Sequence, residues 1–182
     1  REGKRERFLT SDELQRLGAA IVEAETIGIP WEPDPTKKVK HAPGPAHRLL
    51  KIDPASAAAL RLFMLTGARL REILNLTWGE VDLERGMLLL PDSKTGRKTI
   101  VLNAPAQLVL SSLPRNDRFV IPGIPKAAKG KKPESRPRFD LNRPWRLVRK
   151  RAGLDGADGN PPVRIHDLRH THASIGVGAS FG

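Results

Sequence analysis

The stretch Thr66-Gly67-Ala68-Arg69-Leu70-Arg71-Glu72-Ile73-Leu74-Asn75-Leu76 sets the reading of this chain. A glycine separates two helical runs. Upstream, Asp53-Pro54 is a helix start, an N-cap followed by proline in the first turn, and the run continues through Ala58, Leu62 and Leu65 to Gly67. Downstream, Leu70 to Leu76 resumes a helical spacing. Arg69 falls at the junction, where a guanidinium can be aimed at a ligand beside unpaired backbone N–H groups. Glu72, three residues on, is placed to hold it. Taken alone, this pair reads better as an ordinary surface ion pair, which is common and weak.

Beyond Leu76 the period changes. Residues 86–91 and 98–102 read as two strands flanking the turn 92–97, which makes a hairpin with Lys94 near its tip. By itself Lys94 is a solvated turn lysine. Residues 106–113 form a short helix, and Phe119-Val120-Ile121 is expected to add a third short strand. Residues 122–138, rich in Pro, Gly and Lys, read as a basic loop carrying Lys126, Lys129, Lys131 and Lys132. Asp140 caps a helix that carries Arg143, Arg146, Trp145 and Val148 and ends near Gly153. After the break at Asn160-Pro161-Pro162, a last helix runs from Ile165 to about Gly176.

On the N-terminal side, Thr10-Ser11-Asp12-Glu13 is a capping box that opens a helix over residues 11–26. Residues 27–48 follow as a proline-rich insertion, with five prolines from Pro30 to Pro45 and the basic residues Lys37, Lys38 and Lys40. The expected fold class is mainly α with one small antiparallel β-sheet (α+β), organised as a single domain over 1–182.

The chain has a formal net charge of +12, unevenly spread. Residues 114–151 hold thirteen Lys/Arg against three Asp/Glu. Such a patch attracts polyanions by Coulomb steering and by release of condensed counterions, which favours a nucleic-acid partner over a merely solvated basic surface. No basic amphipathic helix stands out to favour an anionic membrane surface, and no apolar run approaches the roughly 18 residues of a membrane span. The N-terminal residues show no apolar stretch of a signal peptide. There is no cysteine, so disulfides and thiolate metal sites are excluded and a reducing cytoplasm is the expected compartment. Aromatic residues make up 4%, which argues against a platform for stacking single-stranded RNA.

A third group is Arg164-Ile165-His166-Asp167-Leu168-Arg169-His170-Thr171-His172-Ala173-Ser174. His166 and Arg169 share a helix face at i,i+3. An imidazole beside a fixed cation suits proton transfer next to a phosphate. His166 and His170 are also i,i+4, but no glutamate and no cysteine completes a zinc site, and Arg169 would set a cation beside the metal. No metal is expected.

The three groups, in this order and spacing, resemble the motifs of the tyrosine recombinases, the phage integrase family. Thr66 to Leu76 looks like their first arginine motif. Ser93-Lys94-Thr95-Gly96 looks like their hairpin lysine, and His166 to Ser174 looks like their His-x-x-Arg motif. Arg7-Phe8-Leu9-Thr10-Ser11-Asp12-Glu13-Leu14 resembles the entry helix of the same catalytic domain. The resemblance implies a tyrosine-recombinase catalytic domain that cleaves and rejoins duplex DNA through a 3′-phosphotyrosyl link, for integration or excision, with no cofactor. It assigns Arg69 and Arg169 to the non-bridging phosphate oxygens and Lys94 to protonation of the leaving 5′-oxygen. His166 assists proton transfer, and Glu72 orients Arg69. Lys126, Lys129, Lys131, Lys132, Arg143 and Arg146 are the expected DNA contacts. The implied partners are double-stranded DNA and other copies of the chain in a tetrameric synapse, and the implied location is cytoplasmic, with the nucleoid.

The chain departs from the family pattern in one respect: none of its 182 residues is tyrosine. The expectation is therefore a fragment that ends before the Gly-His or Gly-Trp motif and the tyrosine segment, and that also lacks the N-terminal core-binding domain. Such a fragment binds the scissile phosphate but does not cleave. Two alternatives remain at this point: a catalytically dead DNA-binding remnant with a regulatory role, and a basic RNA- or ribosome-associated protein.

Overall fold

The computed structural model describes residues 7–33, 36, 43–44, 47–93, 96–123, 134–157 and 159–179, with side chains left aside at 92–93 and 174–179. Lys94 and the loop lysines Lys126, Lys129, Lys131 and Lys132 lie outside the described residues.

Helix α1, Ser11–Thr26, begins where the capping box predicts. The Glu13 N–H donates to Thr10 Oγ1 at 3.2 Å and the Thr10 N–H donates to Glu13 Oε2 at 2.9 Å. Leu17, Ala20, Ile21 and Ala24 form its buried stripe. Helix α2, Pro54–Thr66, starts at Asp53, whose carboxylate accepts the Ser56 N–H at 2.9 Å and the Ser56 hydroxyl at 2.8 Å. Its residues 56–60, 62 and 63 are all buried, so it is covered on nearly every side and forms the centre of the domain. It packs against α1 and against α3 (Leu70–Leu74), α4 (Ala104–Ser111), α5 (Asn142–Arg151) and α6 (Ile165–Ala179). Asn103 caps α4 by accepting the Ala106 N–H at 2.9 Å.

The main sheet is antiparallel, in the order β3 (Val81–Asp82), β4 (Met87–Ser93), β5 (Gly96–Val101). Leu88 pairs with Ile100 and Leu90 with Lys98, so Leu88, Leu90 and Ile100 face the core, while Leu89 and Val101 point to solvent. The hairpin strands reach further toward the turn than the predicted 92–97 loop allowed: Ser93 pairs with Gly96 after an irregularity between Leu90 and Ser93.

Two other expectations need correction. Residues 119–121 do not form the third strand, which is Val81–Asp82 instead. Phe119 makes only an isolated bridge to Thr77, with the Trp78 N–H donating to Arg118 O at 3.2 Å and the Val120 N–H to Leu76 O at 2.9 Å. The ladder stops there because Trp78–Glu80 coils into a 3-10 turn and Pro122 has no N–H to donate. The proline-rich insertion is also anchored at its ends by a second small sheet, β1 (Ile29–Pro30) with β2 (Leu49–Leu50), in which Ile29 is buried. The last helix extends three residues beyond the expected Gly176.

Phe63 lies in the middle of α2 with no solvent exposure. Phe63→Ala is expected to lower unfolding stability by about 3–5 kcal/mol, the usual cost of deleting a fully buried ring. Urea denaturation checks this; a loss under about 1.5 kcal/mol would mean that α2 is not the packing centre.

Candidate active site

The site is built where α2 ends and α6 crosses it. Gly67 closes α2 in the left-handed conformation at φ 59°, and its N–H donates to Phe63 O at 3.3 Å. Only glycine takes this backbone without strain, and here space is as restrictive as torsion. A Cβ on Gly67 would meet His172 Cδ2 at 2.5 Å and Cγ at 3.0 Å. The imidazole of His172 on α6 thus lies directly on the turn that precedes Arg69. Arg169 is one helical turn back from His172, and His166 one turn back again. The contact brings the segment of the first arginine motif and the His-x-x-Arg helix together.

Arg69 is the N-cap of α3, in extended conformation at φ −75°, ψ 151°. Glu72 holds it twice: Oε2 accepts the Arg69 N–H at 2.7 Å, and Oε1 accepts Nη1 at 3.0 Å. Lys98 on β5 donates Nζ to the same Oε2 at 2.9 Å. The Glu72 side chain is only 8% exposed, so this is a largely buried three-donor site rather than a surface pair. Burial pushes the Glu72 carboxyl pKa up, but the Arg69 N–H, the Lys98 ammonium and the Arg69 guanidinium together outweigh it and hold the pKa below its ordinary 4.5.

Lys98 escaped the sequence reading, although a signal was present. Period-2 alternation from buried Ile100 places Lys98 on the core side of β5. A lysine on that side needs a carboxylate, and Glu72 was the candidate.

On α6, His166 is exposed and Arg169 is half-buried. The Nη1 of Arg169 is buried and has no hydrogen-bond acceptor among the described residues. A buried guanidinium N–H left in this way costs roughly 1–3 kcal/mol, more for a charged group, unless an anion meets it. The start of α6 is fixed by Asp167, buried, whose carboxylate accepts the Arg164 N–H at 2.8 Å. Thr171 Oγ1 accepts the Leu9 N–H at 2.9 Å and donates to Asp167 O at 2.8 Å, tying the N-terminal segment to the same helix. Arg7 reinforces this tie through Pro161 O and through Glu13 at 2.7 Å.

Arg143 and Arg146 are exposed on α5 and, with Lys150, form a basic stripe at i, i+3, i+7. No group of three or more His, Cys, Asp or Glu that could hold a metal occurs among the described residues. None of their helices is long and apolar enough to cross a membrane.

Gly67→Ala is expected to destabilise the chain by more than the roughly 1 kcal/mol of a left-handed strain alone, because it adds the clash with His172. In Gly67→Ala/His172→Ala the clash is removed and the strain remains, so the double variant should be less destabilised than the sum of the single changes. Thermal unfolding of the four chains checks this; strict additivity would contradict the contact. Because the folded Glu72 pKa is depressed, its stabilisation is full above pH 4.5 and is lost as pH falls through the lower folded value. Glu72→Gln should therefore lose stability at neutral pH and show a shallower acid limb below pH 4.5 in pH-dependent urea melts. An unchanged acid limb would contradict the three-donor arrangement.

A sequence profile of the phage integrase family matches residues 46–177, most of the chain. The integrase of Salmonella phage P22 is 35% identical over 117 residues, covering 60% of this chain and 29% of that protein. Tyrosine recombinase XerA of Saccharolobus solfataricus is 29% identical over 123 residues, covering 65% of this chain and 35% of that protein. The fold is similar to a crystal structure of XerA recombinase, at TM-score 0.58 and 19% identity over 99% of this chain and 52% of the other. It is also similar to a lambda integrase tetramer bound to a Holliday junction, at TM-score 0.56 and 18% identity over 96% and 44%. The chain spans about a third of the length of the curated relatives it matches. With the profile match over residues 46–177 and the same fold, the chain belongs to the phage integrase family, the tyrosine recombinases.

Proposed function

We propose that this chain is the phosphate-binding part of a site-specific DNA strand transferase. The observation that carries the reading is the buried Nη1 of Arg169, without an acceptor among the described residues, one helical turn from the His172–Gly67 contact that leads into Arg69. Two guanidiniums held on separate helices suit the two non-bridging oxygens of one phosphodiester, where negative charge gathers in the transition state. Glu72 fixes the first guanidinium, and the packing of α6 on α2 fixes the second.

In the reaction, a tyrosine hydroxyl attacks phosphorus, a P–O bond to tyrosine forms, and the bond to the 5′-oxygen breaks. The leaving 5′-oxygen takes a proton, which we assign to Lys94, and the proton that the attacking tyrosine hydroxyl releases passes to exposed His166 at the phosphate. Attack by the 5′-hydroxyl of another strand reverses the step, and the link itself conserves the phosphodiester energy. None of these 182 residues is tyrosine, so the chain by itself supplies no such nucleophile.

The duplex is proposed to lie along the basic stripe of α5, where Arg143 and Arg146 face the major groove, with Lys126, Lys129, Lys131 and Lys132 adding phosphate contacts. Similar proteins were solved on DNA, among them the Tn1549 transposon integrase with circular intermediate DNA and the lambda integrase tetramer on its junction. Assembly of copies on DNA is therefore proposed here too. A second reading is a regulatory DNA-binding remnant, a role that needs the basic surface and no tyrosine.

The chain is expected to bind duplex DNA in preference to RNA, with affinity falling steeply with salt, and to give no covalent protein–DNA band on a nicked suicide duplex. Preference for RNA, or a covalent band, would contradict the reading. In a longer polypeptide that carries the tyrosine, Arg169→Ala should slow strand cleavage on the order of 10²–10³-fold. Full cleavage by that variant would remove Arg169 from the site, and no cleavage by the parent polypeptide would favour the remnant.

A further inference from the structure

The segment leading into α5 exposes a phenylalanine that phosphate binding does not use. Phe139 is 77% exposed, the highest of the large apolar side chains among the described residues. It does not sit on a loose loop. The Gly123 N–H donates to Arg136 O at 2.8 Å and the Arg138 N–H to Ile121 O at 3.1 Å, and Pro122 bridges Pro137. Arg138 Nη2 pairs with Asp53 at 2.6 Å, and Asp140 accepts the Asn142 N–H at 2.8 Å at the start of α5. Arg71, two residues after Arg69, donates Nη1 to Phe139 O at 2.9 Å and lays its guanidinium 5.3 Å from the ring centroid. Five polar anchors therefore hold an apolar ring in water. The ring stands at a groove of about 1200 Å³ with Ile52, Pro144 and Leu147 in its wall and Arg136, Arg143 and Arg146 at its rim. The two carboxylates at this groove are engaged, Asp53 with Arg138 and Asp140 with the helix start.

We propose that Phe139 is a base-reading residue that makes apolar contact with the 5-methyl group of a thymine in the major groove. The inference rests on the DNA-binding reading above and adds to it a source of sequence preference. The basic rim calls for a polyanion, while the ring offers only C–H and π surface. On a duplex, the major groove meets both demands, because the thymine methyl is its apolar feature and arginines at the rim reach phosphates and guanines. An intercalating wedge is disfavoured by Arg71, which covers one ring face and would have to leave before bases could sandwich the ring. Placed three residues before α5, Phe139 lines the same groove as Arg143 and Arg146, and through Arg71 it is tied to the helix that begins at Arg69.

Selection of binders from a random 20-base-pair duplex pool with the 182-residue chain tests this. The expected result is enrichment of thymine at one or more positions. In the selected duplex, deoxyuridine at that position should weaken binding about fourfold, the value of burying one methyl group. Phe139→Ala, at an exposed position that does not threaten folding, should still bind duplex DNA but treat thymine and deoxyuridine alike. Arg143→Ala should weaken both duplexes equally and keep the fourfold ratio. Binding with no thymine preference, or a thymine–deoxyuridine ratio that survives Phe139→Ala, overturns the base-reading role and leaves the DNA-binding reading standing. Failure to recover any bound duplex removes both.

Discussion

The carboxylate of Glu72 is the interaction on which the site depends. It accepts the Arg69 backbone N–H, the Arg69 guanidinium and the Lys98 ammonium, and so joins α3 to the hairpin through one largely buried group. An isolated surface pair would contribute little, because solvent screens it and two long side chains lose freedom. Here the backbone donor fixes the helix start, and the buried carboxylate must keep its donors or bear the cost of desolvation. Arg69 is thereby held in one orientation before any ligand arrives. Such preorganisation is what phosphoryl chemistry draws on, since the charge to be stabilised appears only in the transition state.

The second constraint is steric. Gly67 sits at positive φ beneath His172, so the α2–α3 turn and α6 can approach only if no side chain stands between them. Asp167 fixes the start of α6, and Thr171 ties its middle to Leu9. Two arginines distant in sequence are carried on elements whose relative position is set by packing and not by their own contacts. That separation explains how Arg169 Nη1 can be buried without an acceptor among the described residues, since the surrounding core stabilises the arrangement that strands it.

Much of this was legible in the sequence, for physical reasons that differ by element. The capping box at Thr10, the Asp53-Pro54 start and the glycine stop at Gly67 are local signals, and the structure places those helix ends where the sequence does. The order of the arginine, hairpin and His-x-x-Arg groups pointed to the family. Partner choice between strands was not legible. Phe119-Val120-Ile121 has strand composition, but the neighbour it bridges at Thr77 coils away directly afterwards, and nothing local announces that. Lys98 and His172 act through contacts across 26 residues in one case and more than a hundred in the other, so each read as unremarkable in its own segment. Phe139 carries no local signal; its pinning by Arg71 depends on contact across 68 residues.

The central claim is that Arg69 and Arg169 grip one phosphate together. A double-mutant cycle on duplex affinity, with Arg69→Ala, Arg169→Ala and the pair measured across a salt series, tests it most directly. If both guanidiniums serve one phosphate, the loss in the double variant falls short of the sum of the single losses, by a coupling on the order of 0.5–3 kcal/mol. Losses that add within error at every salt concentration would show two independent contacts and contradict the account.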